Sequence, residues 1–307
     1  ANFPTDRYIL AGIAEQFGLN LITLDNDGSG GPGAVKVESE DELITPAELA
    51  KHLTDDVALV TLQAIHYRSG ARSDIKAISD LCRANGTYML WDCSHAVGSI
   101  DLDFDSNGVD LAVGCTYKYG NSGPGAPAWL FVRKELQGKL RAPIQGWFAQ
   151  QDQFEMGPFF EPATGIRRFQ IASPSIMGLR AVRSGFEMIE LAGIKEIERK
   201  AAIGTQMMIG LFDEWLAPLG FTLQTPRDAS RRGGHITLRH PEAKRIAAAL
   251  RKFAKVVPDY RAPNSIRLAI SPLATSYTEV WDGFDRIRES VENQDYLKIQ
   301  DDGNRVT

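Results

Sequence analysis

The sequence predicts an α/β protein: a larger first unit built on a mainly parallel sheet, then a smaller α+β unit. Three observations carry this. Short apolar runs alternate with amphipathic helical stretches through the first half. A length of 307 residues has room for about two units of ordinary size. A long helical stretch over 175–216 separates this pattern from a second series of short strands and helices. The composition shifts near 165–175, which sets the expected units at 1–170 and 171–307, the linking helix belonging to the second.

The elements follow in order. Residues 57–62 (VALVTL) have a buried-strand pattern. Residues 74–85 form a helix: Asp74 can cap it, Ile75, Ile78, Leu81 and Cys82 share one face, and Asn85-Gly86 stops it. The next strand, 88–91, runs straight into Asp92. Strands at 111–115 and 128–132 complete the first sheet. The long helix should break near Gly193. After it, segments 221–224, 235–239, 242–253, 266–270 and 279–291 alternate between strand and helix. In a parallel sheet, ligands bind beyond the carboxyl ends of the strands, so the residues that follow each strand are the candidates for chemistry.

Composition removes several function classes. Lys and Arg number 34 against 39 Asp and Glu, a net charge of −5, and no basic block is present, which argues against nucleic-acid binding. No apolar run reaches the roughly 20 residues of a membrane-spanning helix. Cys82, Cys93 and Cys115 form neither a disulfide framework nor a CxxC metal site, so no metal is expected and a reducing cytoplasm fits. The start, Ala1-Asn2-Phe3-Pro4, is no signal peptide and reads as a chain entered partway.

Several motifs need weighing. Gly28-Ser29-Gly30-Gly31-Pro32-Gly33 matches GxGxxG, but Pro32 and the strand-like residues after it leave no helix to open there, so it is a turn. Asp92, Ser94 and His95 are too close in sequence to line up as a hydrolytic triad, and no GxSxG elbow is present. Cys93 and His95 lack a second pair of zinc ligands. Asp92 itself is either a turn-forming acid or a residue facing the ligand crevice. Lys118 follows the next strand, between Tyr117 and Tyr119. A partly desolvated lysine has a lowered pKa and becomes a nucleophile toward carbonyls. Taken together, the two residues fit pyridoxal phosphate (PLP): lysine forms the Schiff base and aspartate holds the pyridine nitrogen. His235 and His240 read as surface or internally satisfied histidines.

The strings Leu90-Trp91-Asp92-Cys93-Ser94-His95-Ala96-Val97-Gly98, Gly114-Cys115-Thr116-Tyr117-Lys118-Tyr119 and Gly123-Pro124-Gly125-Ala126-Pro127-Ala128 resemble the kynureninase family. So do Asn2-Phe3-Pro4-Thr5-Asp6, His66-Tyr67-Arg68-Ser69-Gly70, Gly146-Trp147-Phe148 and the tail from Tyr260 to Arg267. The resemblance runs in order over nearly the whole chain. It implies the fold-type-I architecture of PLP-dependent transferases and a homodimer with shared active sites. It also implies hydrolysis of L-kynurenine, or its 3-hydroxy form, to the matching anthranilate and L-alanine, within tryptophan catabolism or NAD biosynthesis.

The resemblance assigns roles by position. Lys118 carries the cofactor, Asp92 pairs with its ring nitrogen, and His95 lies close by. Phe3 stacks on the ring, with Asp6 in the same segment. Tyr117 and Trp147 reach the phosphate, and Tyr117 is also the proton donor. Ser173 contacts cofactor or substrate from the partner subunit. Arg267 clamps the substrate carboxylate. His66, by its place after a strand, belongs to a substrate or cofactor loop. Gln63 is a cofactor contact where the family usually places a small hydroxyl residue, and Ser173 stands where Asn or Thr is usual. Family members begin well before the Asn-Phe-Pro-Thr-Asp segment, so the resemblance implies an N-terminally incomplete chain. The alternatives are another enzyme of the same fold, desulfurase-like or aminotransferase-like, or an inert fragment of that fold. A desulfurase needs a cysteine in a downstream loop, and every cysteine here lies at or before Cys115.

Overall fold

The computed structural model describes residues 2–26, 28–39 and 41–300. In chain order the elements are α1 (Pro4–Phe17), β1 (Leu24–Asp25), β2 (Val35–Lys36), α2 (Pro46–Ala50), β3 (Leu59–Gln63), α3 (Ile75–Ala84) and β4 (Tyr88–Asp92). β5 (Leu111–Gly114), β6 (Trp129–Val132), α4 (Lys134–Gln137), α5 (Ile176–Ala192) and α6 (Ile194–Leu211) follow. The chain continues through β7 (Thr222–Leu223), β8 (His235–Arg239), α7 (Ala243–Ala249), β9 (Asp259–Arg261), β10 (Ser265–Ala269) and α8 (Tyr277–Glu292).

The first sheet has the order β3-β4-β5-β6. β3, β4 and β5 run parallel, and β6 is antiparallel to β5. Strand alternation in β4 decides what each face receives. Met89 and Trp91 point into the core, and the indole N–H of Trp91 donates to Ser79 Oγ on α3 (3.0 Å). Asp92, one residue on, points to the opposite side. α3 starts as its sequence requires: Asp74 accepts from the Ala77 N–H (2.9 Å), and Ile75, Ile78 and Cys82 are buried.

The second sheet, β7-β8-β10-β9, is antiparallel throughout. Its core joins Met208, Ile209 and Phe212 to Ile236, Leu250, Ile270 and Phe284. α8 opens with a complete capping box between Ser276 and Glu279. The long helix breaks at Gly193, whose φ of 79° suits glycine, and this separates α5 from α6.

The glycine motif at 28–33 is a turn leading to β2, with no helix opening inside it. α1, β1, α2, α4 and β9 have no counterpart among the expected elements. The loop after β3 joins the first sheet to the segments around the second. Gly233 N–H donates to the Gly70 carbonyl (2.9 Å), Arg72 N–H donates to the Arg231 carbonyl (2.8 Å), and Arg72 pairs with Glu198 (2.6 Å). Among the described residues no helix is long and apolar enough to cross a membrane, and no group of three metal-ligating side chains comes together.

Candidate active site

Beyond the carboxyl ends of β3, β4 and β5, residues of the first sheet meet residues of β8 and β10 at one place, the pit: Arg267 of β10 lies against His95 and the Tyr67 carbonyl, and His235 of β8 against the His95 ring. Gln63 ends β3 and Asp92 ends β4; the two are partners in parallel register. Gln63 Nε2 donates to Asp92 Oδ2 (3.2 Å), and its Oε1 accepts the Tyr67 N–H (3.0 Å). Ser94 N–H donates to Asp92 Oδ1 (2.8 Å). Asp92 therefore forms the Asx turn and lines the pit as well; the two readings of this acid are not exclusive.

Lys118 sits in the loop that follows β5. Two close backbone approaches hold that loop. Gly98, with φ of 78°, lies so near that a Cβ there would stand 2.3 Å from the Tyr119 carbonyl oxygen. A Cβ on Gly185 of α5 would stand 2.3 Å from the Gly120 carbonyl oxygen. Thr116 Oγ1 donates to the Pro127 carbonyl (2.8 Å), which closes the loop on itself. Burial lowers the Lys118 pKa, and the nearby Cys115 and Asp92 partly oppose that shift. Its Nζ lies 6.0 Å from the centre of the Phe3 ring and 5.7 Å from that of Tyr117. Burial also raises the Tyr117 phenol, with Cys115 beside it adding to the effect.

Phe3 packs edge-on against Tyr67, with ring centres 5.4 Å apart. Asp6, one turn into α1, has its carboxyl pushed up to about 6, mainly by burial and then by the charge of Asp92, with Lys118 opposing. Its Oδ2 is buried without a protein partner.

His95 is buried, and its imidazole is held well below its usual pKa, first by burial, then by Lys118 and Arg267. Arg267 Nη1 lies 3.1 Å from His95 Nε2. Arginine can only donate, so Nε2 is the acceptor, and a neutral ring then carries its proton on Nδ1. That atom is buried with no protein partner. Arg267 also donates to the Tyr67 carbonyl (2.6 Å) and to Asp259.

His235 corrects the sequence reading. It is 1% exposed, not a surface residue, and its ring centre stands 5.6 Å from that of His95. It lies at the start of β8, where it backs the His95 ring from the second unit. His240 is the ordinary case: it lies against Phe221 and accepts the Glu242 N–H on Nδ1 (3.0 Å).

Three predicted residues lie elsewhere. His66 is buried in the loop after β3, 3.4 Å from Glu42 Oε2 and beside Ser69; its neighbour Tyr67 is the residue that enters the pit. Trp147 occupies the exposed turn Trp147–Ala149, with its ring edge-on to Phe148 (4.7 Å). Ser173 is exposed just before α5. These last two belong together, because Gly146 presses so closely on Ile171 that a Cβ would meet the Ile171 carbonyl oxygen at 1.9 Å.

Sequence reasoning missed Asp259 and Arg261 as well as His235. The signal for the first two was available: an Asp-x-Arg strand pairing with the strand that carries Arg267.

The chain has known relatives. A family model described as the kynureninase C-terminal domain matches residues 197–287. The chain is 33% identical to a kynureninase of Pseudomonas fluorescens over 98% of its own length and 68% of that protein's. It is 32% identical to a kynureninase of Burkholderia pseudomallei over 96% of its length and 66% of that protein's. It thus spans about two thirds of the curated relatives it matches. Among solved structures, it superposes on a cysteine desulfurase of Thermococcus onnurineus with a TM-score of 0.73 and 18% identity, covering 94% of this chain and 70% of that one. The cystine C–S lyase C-DES, in complex with its product cysteine persulfide, gives 0.77 and 18% over 94% and 73%. These structural likenesses show the fold, which is that of the fold-type-I PLP enzymes. With nearly its full length aligned to kynureninases at a third identity, the chain belongs to the kynureninase family.

Proposed function

We propose that this protein binds pyridoxal phosphate in the pit between its two sheets. There it hydrolyses L-kynurenine, or 3-hydroxykynurenine, to the corresponding anthranilate and L-alanine. The observation that carries this is the convergence of Lys118, Asp92, His95, Phe3 and Arg267 on one pit, in a chain of this family. The residues fit the cofactor. A buried amine with a weakened hold on its proton stands beside an aromatic ring. A carboxylate is fixed by Gln63 and the Ser94 N–H. Two buried polar atoms, His95 Nδ1 and Asp6 Oδ2, have no protein partner and suit a polar ligand between them. Lys118 would hold the cofactor covalently, Asp92 its ring nitrogen, and Phe3 and His95 its faces. When bound, pyridoxal phosphate supplies the electron sink that stabilises negative charge beside the amino-acid α-carbon.

The chain's own groups would do the rest. Lys118, once released, takes up and returns a proton near that carbon; its lowered pKa makes the neutral amine accessible. Tyr117, the residue before it, carries a phenol proton, and its pKa is raised by the burial of its inner side. It is the candidate donor to the fragment that leaves as alanine. Arg267 orients the substrate through its carboxylate.

We further propose that the protein acts in the cytoplasm as a homodimer, with units parting near residue 170. Ile144, Phe154, Met156, Phe159 and Met177 are all exposed around Trp147 and Ser173. An apolar face of that extent suits a second copy, which would bring Trp147 and Ser173 to the partner's pit.

The test is direct. The protein loaded with pyridoxal phosphate is mixed with L-kynurenine, and anthranilate fluorescence is followed. Fluorescence should rise, and the Lys118→Ala variant should lose both it and the visible absorption of the bound cofactor. No anthranilate overturns the substrate, and a visible band that survives in Lys118→Ala overturns the role of that lysine.

A further inference from the structure

We propose that Arg261 is a second cation of the substrate-carboxylate subsite, acting beside Arg267. This rests on the reading of Arg267 as the carboxylate clamp. β9 and β10 pair antiparallel, with Asp259 directly opposite Arg267. The period of two puts Arg261 on the same face of β9 as Asp259. Both guanidiniums converge on a single oxygen: Arg267 Nε reaches Asp259 Oδ2 at 3.0 Å, with Nη2 on it too, and Arg261 Nη2 reaches it at 3.4 Å.

Arg267 is nearly spent as a donor. A guanidinium has five N–H groups. Two of Arg267's go to Asp259, and Nη1 serves the Tyr67 carbonyl and His95 Nε2. The single N–H left over cannot grip a carboxylate at two points. Arg261 supplies what is lacking. Its Nε is buried with no partner in the protein. On that edge of the guanidinium, Nη2 touches Asp259 and Nε does not, so the planar fork that suits a carboxylate is half filled.

The charge count agrees. One carboxylate faces two guanidiniums, and the neighbouring His95 is held neutral, which leaves a net positive charge at the pit wall. The charge of Arg261 also reaches Lys118 and His95, whose pKa values it helps to depress. The subsite therefore takes an α-carboxylate through one N–H of Arg267 and the Nε–H of Arg261, with Asp259 keeping the two cations side by side.

The probe is a substrate analogue without the α-amino group, 4-(2-aminophenyl)-4-oxobutanoate, together with its neutral primary amide. Neither has the α-amine through which the substrate would join the cofactor. Binding of both is measured by calorimetry to the PLP-loaded protein, and the ratio of the two affinities is the readout. Wild type should prefer the carboxylate. Arg261→Gln should lose roughly tenfold or more of that preference, as expected for one charge-assisted hydrogen bond, with amide affinity unchanged. Arg261→Met, which keeps the packing of the stem, carries the test where the Gln variant does not fold. Arg267→Gln is the control. If Arg267→Gln loses the preference and the Arg261 variants keep all of it, the proposal is overturned while the Arg267 reading stands. If wild type shows no preference, the Arg267 reading fails and the proposal falls with it.

Discussion

The two sheets serve the site in different ways. The parallel sheet contributes through what lies at or just past its strand ends: Gln63 at the end of β3, Asp92 at the end of β4, Lys118 in the loop after β5. The antiparallel sheet contributes through residues inside its strands: His235 in β8, Asp259 and Arg261 in β9, Arg267 in β10. Loops can place a reacting amine and phenol where they can move. Paired strands fix charges by register and cannot easily give way. In the proposed function, the first sheet would hold the chemistry and the second an electrostatic wall against which the substrate is set.

That division can be broken by experiment. After the loss of Lys118, the largest effect should come from Tyr117→Phe, which removes a candidate proton donor from a half-exposed loop. The turnover rate should fall by roughly 10²–10⁴-fold, the usual worth of a positioned acid or base. The thermal midpoint should hardly move; a variant that loses stability and rate together would place Tyr117 in the scaffold.

The scaffold has its own signature. Ile236 of β8 is fully buried. Ile236→Ala should cost about 2–5 kcal/mol in urea unfolding. A loss well under 1 kcal/mol would mean that the second sheet yields as readily as a loop.

A smaller effect should appear at Asp6, through pH. Its carboxyl titrates near 6 in the folded chain, against an ordinary value of 3.8. The folded state therefore holds this proton more tightly than the unfolded state. Stability from this group is present in full below the ordinary value and is lost as pH rises through about 6. In the cofactor-free protein, Asp6→Asn should match wild type at low pH and exceed it in urea midpoint above about pH 7. Parallel curves at every pH would remove Asp6 from the pit.

The smallest effect on stability belongs to the outer face. Met177 of α5, in the proposed dimer face, is 82% exposed. Met177→Glu should leave unfolding within about 0.5 kcal/mol of wild type while weakening self-association in sedimentation. A large loss of stability would mean that α5 is packed within its own chain.

How much of this could be read in advance follows from the same division. The strand ends were legible. An apolar run that stops at an acid or leads into a lysine is a local pattern, and Asp74, Asn85, Gly193 and Ser175 mark helix ends by their own chemistry. Gln63 was placed at the cofactor, but its bond to Asp92 comes from strand register, which a single segment does not reveal. Within the second sheet, an alternating strand looks the same whether its polar face meets water or another unit. Arg267 alone reads as solvent-facing, and His235 as a surface or internally satisfied histidine, because the residues that cover them lie far away in sequence. α1 was missed for a related reason. None of its residues is buried, so the core-facing stripe that marks a helix is weak there.

One consequence follows from the pairing of β9 with β10. Asp259 meets Arg267, and Arg261 joins them, only because the two strands are in phase. Strand side chains alternate faces, so a slip of one position would turn Asp259 and Arg261 outward together and leave Arg267 with no counter-charge. The short link between these strands, Ala262, Pro263 and Asn264, therefore acts as a ruler for this charge cluster. Under the proposed function, its length in residues would set substrate recognition as directly as the identity of any side chain in the pit.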